Sequence, residues 1–192
     1  MQALVERIRS QAVHLGNGLI GVDSFINHQV DPHLITEMGH ALAQAFVEAK
    51  VPEITRIVTA EVSGISLAFT TAQAMGIPMV FARKHRPKTM QDDHFAAHTR
   101  SYTHGKTVTL RIAAPYLQAH DRVLIIDDFL ATGDTIMALA EFVQLSGAAL
   151  CGIGCAIEKP FEKGRDRLSE LRVPIVTLAR VELIDQRLHV TD

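Results

Sequence analysis

The chain has 192 residues, 47% hydrophobic and 21% charged, with a formal net charge of −2 at pH 7. That length suits one domain over 1–192 with a single core, and the near-neutral balance leaves no basic excess to attract nucleic acid or an anionic membrane. Residues 1–10 alternate charge with apolar side chains instead of showing a signal-peptide core, and no apolar stretch approaches transmembrane length. A cytoplasmic protein with no nucleic-acid or membrane partner is expected.

Leu4, Val5, Ile8, Ala12 and Val13 predict an amphipathic helix over 2–14, ending near Gly16. Gly16-Asn-Gly-Leu-Ile-Gly21 has the spacing of a dinucleotide fingerprint, but that motif acts only between a strand and a helix. With a helix expected before it, a nicotinamide or flavin site is rejected. Asp31-Pro32 supplies a cap and a first-turn proline, and Leu34, Ile35, Met38, Ala41, Leu42, Ala45 and Phe46 fall on one face of a helix reaching about Lys50. A strand is expected over Arg56–Ala60, a turn over Glu61–Gly64, a helix from Ile65 to Met75 closed by Gly76, and a strand over Pro78–Ala82. Together these make a βαβ unit.

From 85 to about 106 the chain is polar and aperiodic, which predicts a mobile lid, a hairpin-like excursion returning through a strand at Thr107–Ile112. After the signature described next, strands are expected over Ala149–Ile157 and Pro174–Leu178, with a short helix from Arg165 to Arg172 between them. The only cysteines, Cys151 and Cys155, are four apart on the first of these strands and are expected to share one face as buried free thiols. No histidine spacing completes a metal site with them.

Val123-Leu-Ile-Ile-Asp-Asp-Phe-Leu-Ala-Thr-Gly-Asp-Thr135 carries the most chemistry. Four apolar residues in succession suit a strand buried on both faces of a parallel sheet, and Ile136–Val143 then reads as a helix. Thr132, Gly133, Asp134 and Thr135 lie where backbone N–H groups are open at a helix start, which favours a phosphate. Asp127 and Asp128 would repel that phosphate but are good acceptors for sugar hydroxyls close by. The run asks for one anion and one diol at the carboxyl end of a central strand, where open α/β sheets bind ligands.

This run closely resembles the phosphoribosyl-diphosphate signature of the type I phosphoribosyltransferases. Leu19-Ile-Gly-Val-Asp-Ser-Phe-Ile-Asn-His-Gln29, Phe81-Ala-Arg-Lys-His85 and Gly152-Ile-Gly-Cys-Ala-Ile-Glu-Lys159 are further similar, in order, to bacterial members that act on xanthine. The resemblance implies an α/β fold of the type I phosphoribosyltransferase kind: a central parallel sheet flanked by helices, with a small N-terminal hood, here mainly 1–30. It implies a homodimer. It also implies transfer of ribose 5-phosphate from phosphoribosyl diphosphate to N9 of xanthine, giving xanthosine 5′-monophosphate and diphosphate in purine salvage. Mg²⁺ is implied as a cofactor bound through the diphosphate substrate, with no dedicated metal ligand from the protein.

By the same resemblance, Ala131, Thr132, Gly133, Asp134 and Thr135 form the phosphate loop, Asp127 and Asp128 face the ribose, and Ile20, Asn27 and Lys159 contact the purine. The family often has leucine at the position of Ile20 and asparagine at that of Thr132. Glu61, Ser63 and Gly64 fall on the family's diphosphate loop, and Lys84 is expected to meet the leaving diphosphate. Chemically, a lysine has donors and no acceptor, so Lys159 fits a purine C6 oxygen and disfavours the adenine amino group. Asn27 can donate and accept. The competing expectations are another purine (guanine, hypoxanthine or adenine) and a non-catalytic regulator that senses phosphoribosyl diphosphate. The absence of a basic recognition helix weighs against the regulator.

Overall fold

The computed structural model describes residues 1–90, 93–100, 107–185 and 187–192. In chain order the elements are α1 (Gln2–Gln11), β1 (Val13–Gly16), β2 (Leu19–Gly21), a π-helical turn at Asp23–Asn27, α2 (Pro32–Glu48), β3 (Arg56–Ala60), α3 (Gly64–Met75) and β4 (Met79–Ala82). β5 (His94–Arg100), β6 (Thr107–Ala113), β7 (Arg122–Leu130), α4 (Asp134–Leu145), β8 (Ala149–Glu158), α5 (Gly164–Leu168), β9 (Ile175–Ile184) and β10 (Arg187–Thr191) follow. Six strands form the main sheet in the order β10-β9-β8-β7-β3-β4, parallel throughout except for β10 against β9.

β7 lies at the centre because its apolar run serves both faces. Leu124 and Ile126 join the core beneath α1, α2 and α3, whereas Val123 and Ile125 join the core beneath α4, β5 and β6. α2 starts where Asp31 accepts hydrogen bonds from the backbone of His33 and Leu34 at 3.0 and 3.1 Å, and it buries Leu34, Ile35, Met38, Leu42 and Phe46. Phe46 packs against β8: a Cβ at Gly152 would come within 2.6 Å of its ring. Truncating this fully buried ring to alanine would cost about 3–5 kcal/mol.

Several elements differ from expectation. The first helix stops at Gln11, since Ala12 is already extended and positive φ at Gly16, Asn17 and Gly18 turns the chain into the β1–β2 hairpin. Val13 and Leu15 therefore project to solvent at period two, and the glycine motif sits on a hairpin instead of a strand-to-helix turn. The stretch expected as a hairpin-like lid contains a strand beyond those expected, β5, which pairs antiparallel with β6; its inward side chains include Ala97 and Thr99. Residues 91, 92 and 101–106 of the expected lid lie outside the described residues. The two cysteines do not share a face. A bulge in the β7–β8 register between Val123 and Leu124 inserts Cys151, so it joins one core and Cys155 the other; both are buried and free. The late strand continues to Ile184 and pairs with an unanticipated β10.

Candidate active site

The carboxyl ends of β3, β7 and β8 open into a cleft of about 320 Å³. Every residue singled out from the sequence lines it: Ile20 and Asn27 from the N-terminal hairpin and turn, Glu61, Ser63 and Gly64 from the β3–α3 turn, and Lys84 after β4. Asp127 and Asp128 from β7, Ala131 to Thr135 from the β7–α4 loop, and Lys159 after β8 complete it. β7 runs on to Leu130, so both acids belong to the strand itself.

Gly133, at φ 80°, takes the left-handed conformation that closes the β7–α4 turn; it has no side chain to cap α4, whose first N–H, that of Asp134, donates to the Thr132 hydroxyl at 3.4 Å. The open first-turn amides and the helix dipole make this end of the cleft attractive to an anion. The Asp134 carboxylate is turned aside, accepting from the Thr132 hydroxyl at 2.8 Å and pairing with Arg167.

Asp127 is 7% exposed and accepts from the Asp128 backbone N–H at 3.0 Å. Burial, then the adjacent Asp128 charge, pushes its carboxyl well above the usual carboxylate range. Burial raises Asp128 as well, while Lys84 draws both the other way. Such a pair gains from hydroxyl donors and a cation. Gly64 must be small to lie beside it, because a Cβ there would sit 2.4 Å from Thr59 Oγ1 and 2.8 Å from Asp127 Oδ1. Across the cleft, Glu61 braces the turn that follows β4: its carboxylate accepts from the Lys84 backbone N–H at 2.6 Å and lies 3.8 Å from Arg83 Nε. The Glu61–Val62 peptide is cis.

Lys159 is 3% exposed. Its Nζ donates to the Gly18 carbonyl at 3.2 Å, stands 3.8 Å from Glu162 Oε1, and lies 5.8 and 5.9 Å from the ring centres of Phe129 and Phe161. Burial lowers its pKa, with Glu162 and Asp128 opposing. Nearby, Asn27 Oδ1 is buried without a hydrogen-bond partner. Phe129, Thr99, Val108 and Leu110 also line the cleft and were not anticipated. Phe129 lies inside the signature, where an aromatic directly after two acids was a readable sign, whereas Thr99 had none because β5 itself was not recognised.

Among the described residues no cluster of three or more His, Cys, Asp or Glu is arranged to hold a metal ion. Two cleft carboxylates are what Mg²⁺ accepts when substrate phosphates and water supply its other ligands, so Asp127 and Asp128 fit an ion carried in with a diphosphate.

A parallel sheet covered on both faces, with an anion loop and paired acids at the end of its central strand, defines the class. The phosphoribosyl transferase domain model matches residues 30–182. Xanthine phosphoribosyltransferase from Deinococcus deserti is 48% identical over 97% of this chain and 95% of its own, and that from Streptococcus uberis is 42% identical over 95% and 93%. The chain belongs to the xanthine phosphoribosyltransferase family. Among solved structures, adenine phosphoribosyltransferase from Rhodothermus marinus superposes with a TM-score of 0.74 at 26% identity, covering 94% of this chain and 99% of that one. The yeast adenine enzyme, with a TM-score of 0.72 at 24% identity, covers 93% and 99% and shares the fold.

Proposed function

We propose that the protein transfers ribose 5-phosphate from phosphoribosyl diphosphate to N9 of xanthine, forming xanthosine 5′-monophosphate and releasing diphosphate in purine salvage. The observation that carries this reading is the buried Lys159 ammonium, in the same cleft as the anion loop and the paired acids. Displacement at the ribose anomeric carbon passes through a transition state with oxocarbenium character. The loop Ala131–Thr135 holds the 5-phosphate, and Asp127 and Asp128 accept from the ribose hydroxyls, gaining partners for their buried charge. The amides of Ser63 and Gly64, with Lys84, receive the diphosphate, while the Glu61 N–H is held by the Ala82 carbonyl at 3.0 Å. Xanthine lies between Ile20 and Phe129, its C6 oxygen on Lys159 and an N–H on the unpartnered Asn27 Oδ1. The residues act by holding the acceptor nitrogen and the anomeric carbon in line and by excluding water, with no protein nucleophile.

Mg²⁺, when bound with the diphosphate, neutralises part of the leaving charge. The protein is one domain in which residues 1–30 form a hood over the base, and the stretch from 85 to about 106 acts as the lid, beside Val108 and Leu110 of β6, which line the cleft. It works as a homodimer, for which exposed Val62, in the turn before α3, and exposed Phe69, on α3, offer apolar surface. It resides in the cytoplasm, whose reducing conditions suit two buried free thiols. No helix among the described residues is long and apolar enough to cross a membrane.

The test is product formation from xanthine with and without phosphoribosyl diphosphate and Mg²⁺. Xanthosine 5′-monophosphate should appear only with both. Specific DNA binding without turnover would replace the enzyme reading by a regulator.

A further inference from the structure

We infer that the segment Gly164–Leu168, pinned by the Glu158–Arg165 ion pair, is a strap that sets the phosphate loop in position relative to Lys159. Gly164 and Arg167 are its positioning residues. The inference rests on the reading of Ala131–Thr135 as the loop for the ribose 5-phosphate.

The chain leaves β8 at Glu158, passes Lys159, turns at Pro160–Glu162 and starts α5 at Gly164. Both ends of this excursion are fastened together. Glu158, 2% exposed, accepts from Arg165 Nε at 2.8 Å and Nη2 at 2.6 Å, and from Thr177 Oγ1 at 3.1 Å. Arg165 also donates to the Ile175 carbonyl at 3.1 Å. Burial opposes the Glu158 charge, but the Arg165 hydrogen bonds and charge outweigh it and hold the carboxyl below its usual range. A bidentate pair of this kind fixes direction as well as distance. Lys159, inside the closed excursion, is tied to the signature strand by its backbone N–H to the Leu130 carbonyl at 2.9 Å.

From this anchor α5 reaches the phosphate loop at three points. A Cβ at Gly164 would lie 2.1 Å from the Ala131 carbonyl oxygen and 3.0 Å from the Gly133 nitrogen, so the two backbones touch. Leu168, fully buried, packs beneath Gly133, 3.5 Å or less from where a Cβ there would stand. Arg167 pairs with Asp134, which also accepts from Thr132. Within the loop, short-range bonds join Thr132 to Asp134, at 3.4 Å from the Asp134 N–H and 2.8 Å to its carboxylate, and these do not fix where the loop stands relative to β8; the contacts with α5 do.

Any side chain at 164 must therefore push the loop away. Gly164→Ala should raise the KM for phosphoribosyl diphosphate roughly 10- to 100-fold, the range that an ångström of misplacement produces, while leaving the Kd for xanthine within about twofold. Arg167→Met, at a half-exposed position where folding is not threatened, should raise the same KM by roughly three- to tenfold, and Arg167→Lys should restore part of it. Because Arg167 acts through Asp134, the double variant Asp134→Asn with Arg167→Met should be no worse than the poorer single one. If Gly164→Ala does not fold by circular dichroism, the Arg167 series decides alone. An unchanged KM in Arg167→Met, an equal loss of xanthine affinity, or additive effects in the double variant would overturn the strap. An inactive wild-type protein would instead overturn the functional reading beneath it.

Discussion

Replacing Lys159 with methionine keeps an unbranched chain of similar length and removes only the charged head. In the ligand-free protein that head donates to Gly18 at 3.2 Å and stands near Glu162 and two aromatic rings. An ammonium has three donors, so a bond to the purine C6 oxygen adds to the Gly18 bond instead of replacing it. A hydrogen bond to a charged group is worth about 1.5–3 kcal/mol, and the xanthine kcat/KM should therefore fall by roughly 10- to 150-fold. The KM for phosphoribosyl diphosphate should stay within about twofold, because Lys159 is assigned to the base alone. Adenine, whose C6 amino group cannot accept from an ammonium, should lose nothing. Initial rates of diphosphate release with xanthine, guanine, hypoxanthine and adenine provide the assay, with a thermal melt as the folding control. An unchanged xanthine kcat/KM, or the same proportional loss with adenine, would refute the assignment of Lys159 to the 6-oxo group.

Asp127→Asn should raise the KM for phosphoribosyl diphosphate by about tenfold or more and the KM for xanthine much less, by steady-state kinetics; the reverse order would assign this acid to the purine. The same variant tests the charge argument. Burial raises the folded carboxyl well above 3.8, so its contribution to stability is full below that value and is lost as pH rises through the folded pKa. Asp127→Asn should accordingly raise the melting temperature of the ligand-free protein more at pH 8 than at pH 4. Gly64→Ala drives a methyl into Thr59 and Asp127 and should destabilise by about 1–3 kcal/mol in urea unfolding, with activity lost in the folded fraction. Asn27→Leu removes a buried acceptor that has no partner, so ligand-free stability should hold or rise while xanthine kcat/KM falls by about 1–3 kcal/mol in transition-state terms.

Much of the cleft was readable from residues 123–135 because strand, acids, loop and helix are contiguous there, and each obeys a local rule: an apolar run, a glycine turn, a helix start. α2 and the β3-α3-β4 unit were readable for the same reason. The β1–β2 hairpin was not, since Val13 and Leu15 are as compatible with a helical face as with a short exposed strand until the three positive-φ residues are known. β5 escaped because its inward positions are occupied by alanine and threonine, which leave little hydrophobic alternation. The cysteine prediction failed through a single inserted residue: a bulge at Cys151 reverses the side-chain alternation, and nothing in the local composition announces it. Nothing local marks Gly164, just before the helix expected from Arg165, because its importance comes from a close approach to Ala131 and Gly133, more than thirty positions away.

The central claim is that the cleft pairs a phosphoribosyl donor with a 6-oxopurine, and xanthine in particular. The fold is shared with enzymes whose acceptor is adenine, so the decisive measurement is kcat/KM for the four purines at saturating phosphoribosyl diphosphate and Mg²⁺ with the wild-type protein. The account predicts the highest value for xanthine and a far lower one for adenine. A preference for adenine, or no product from any of the four, would contradict it.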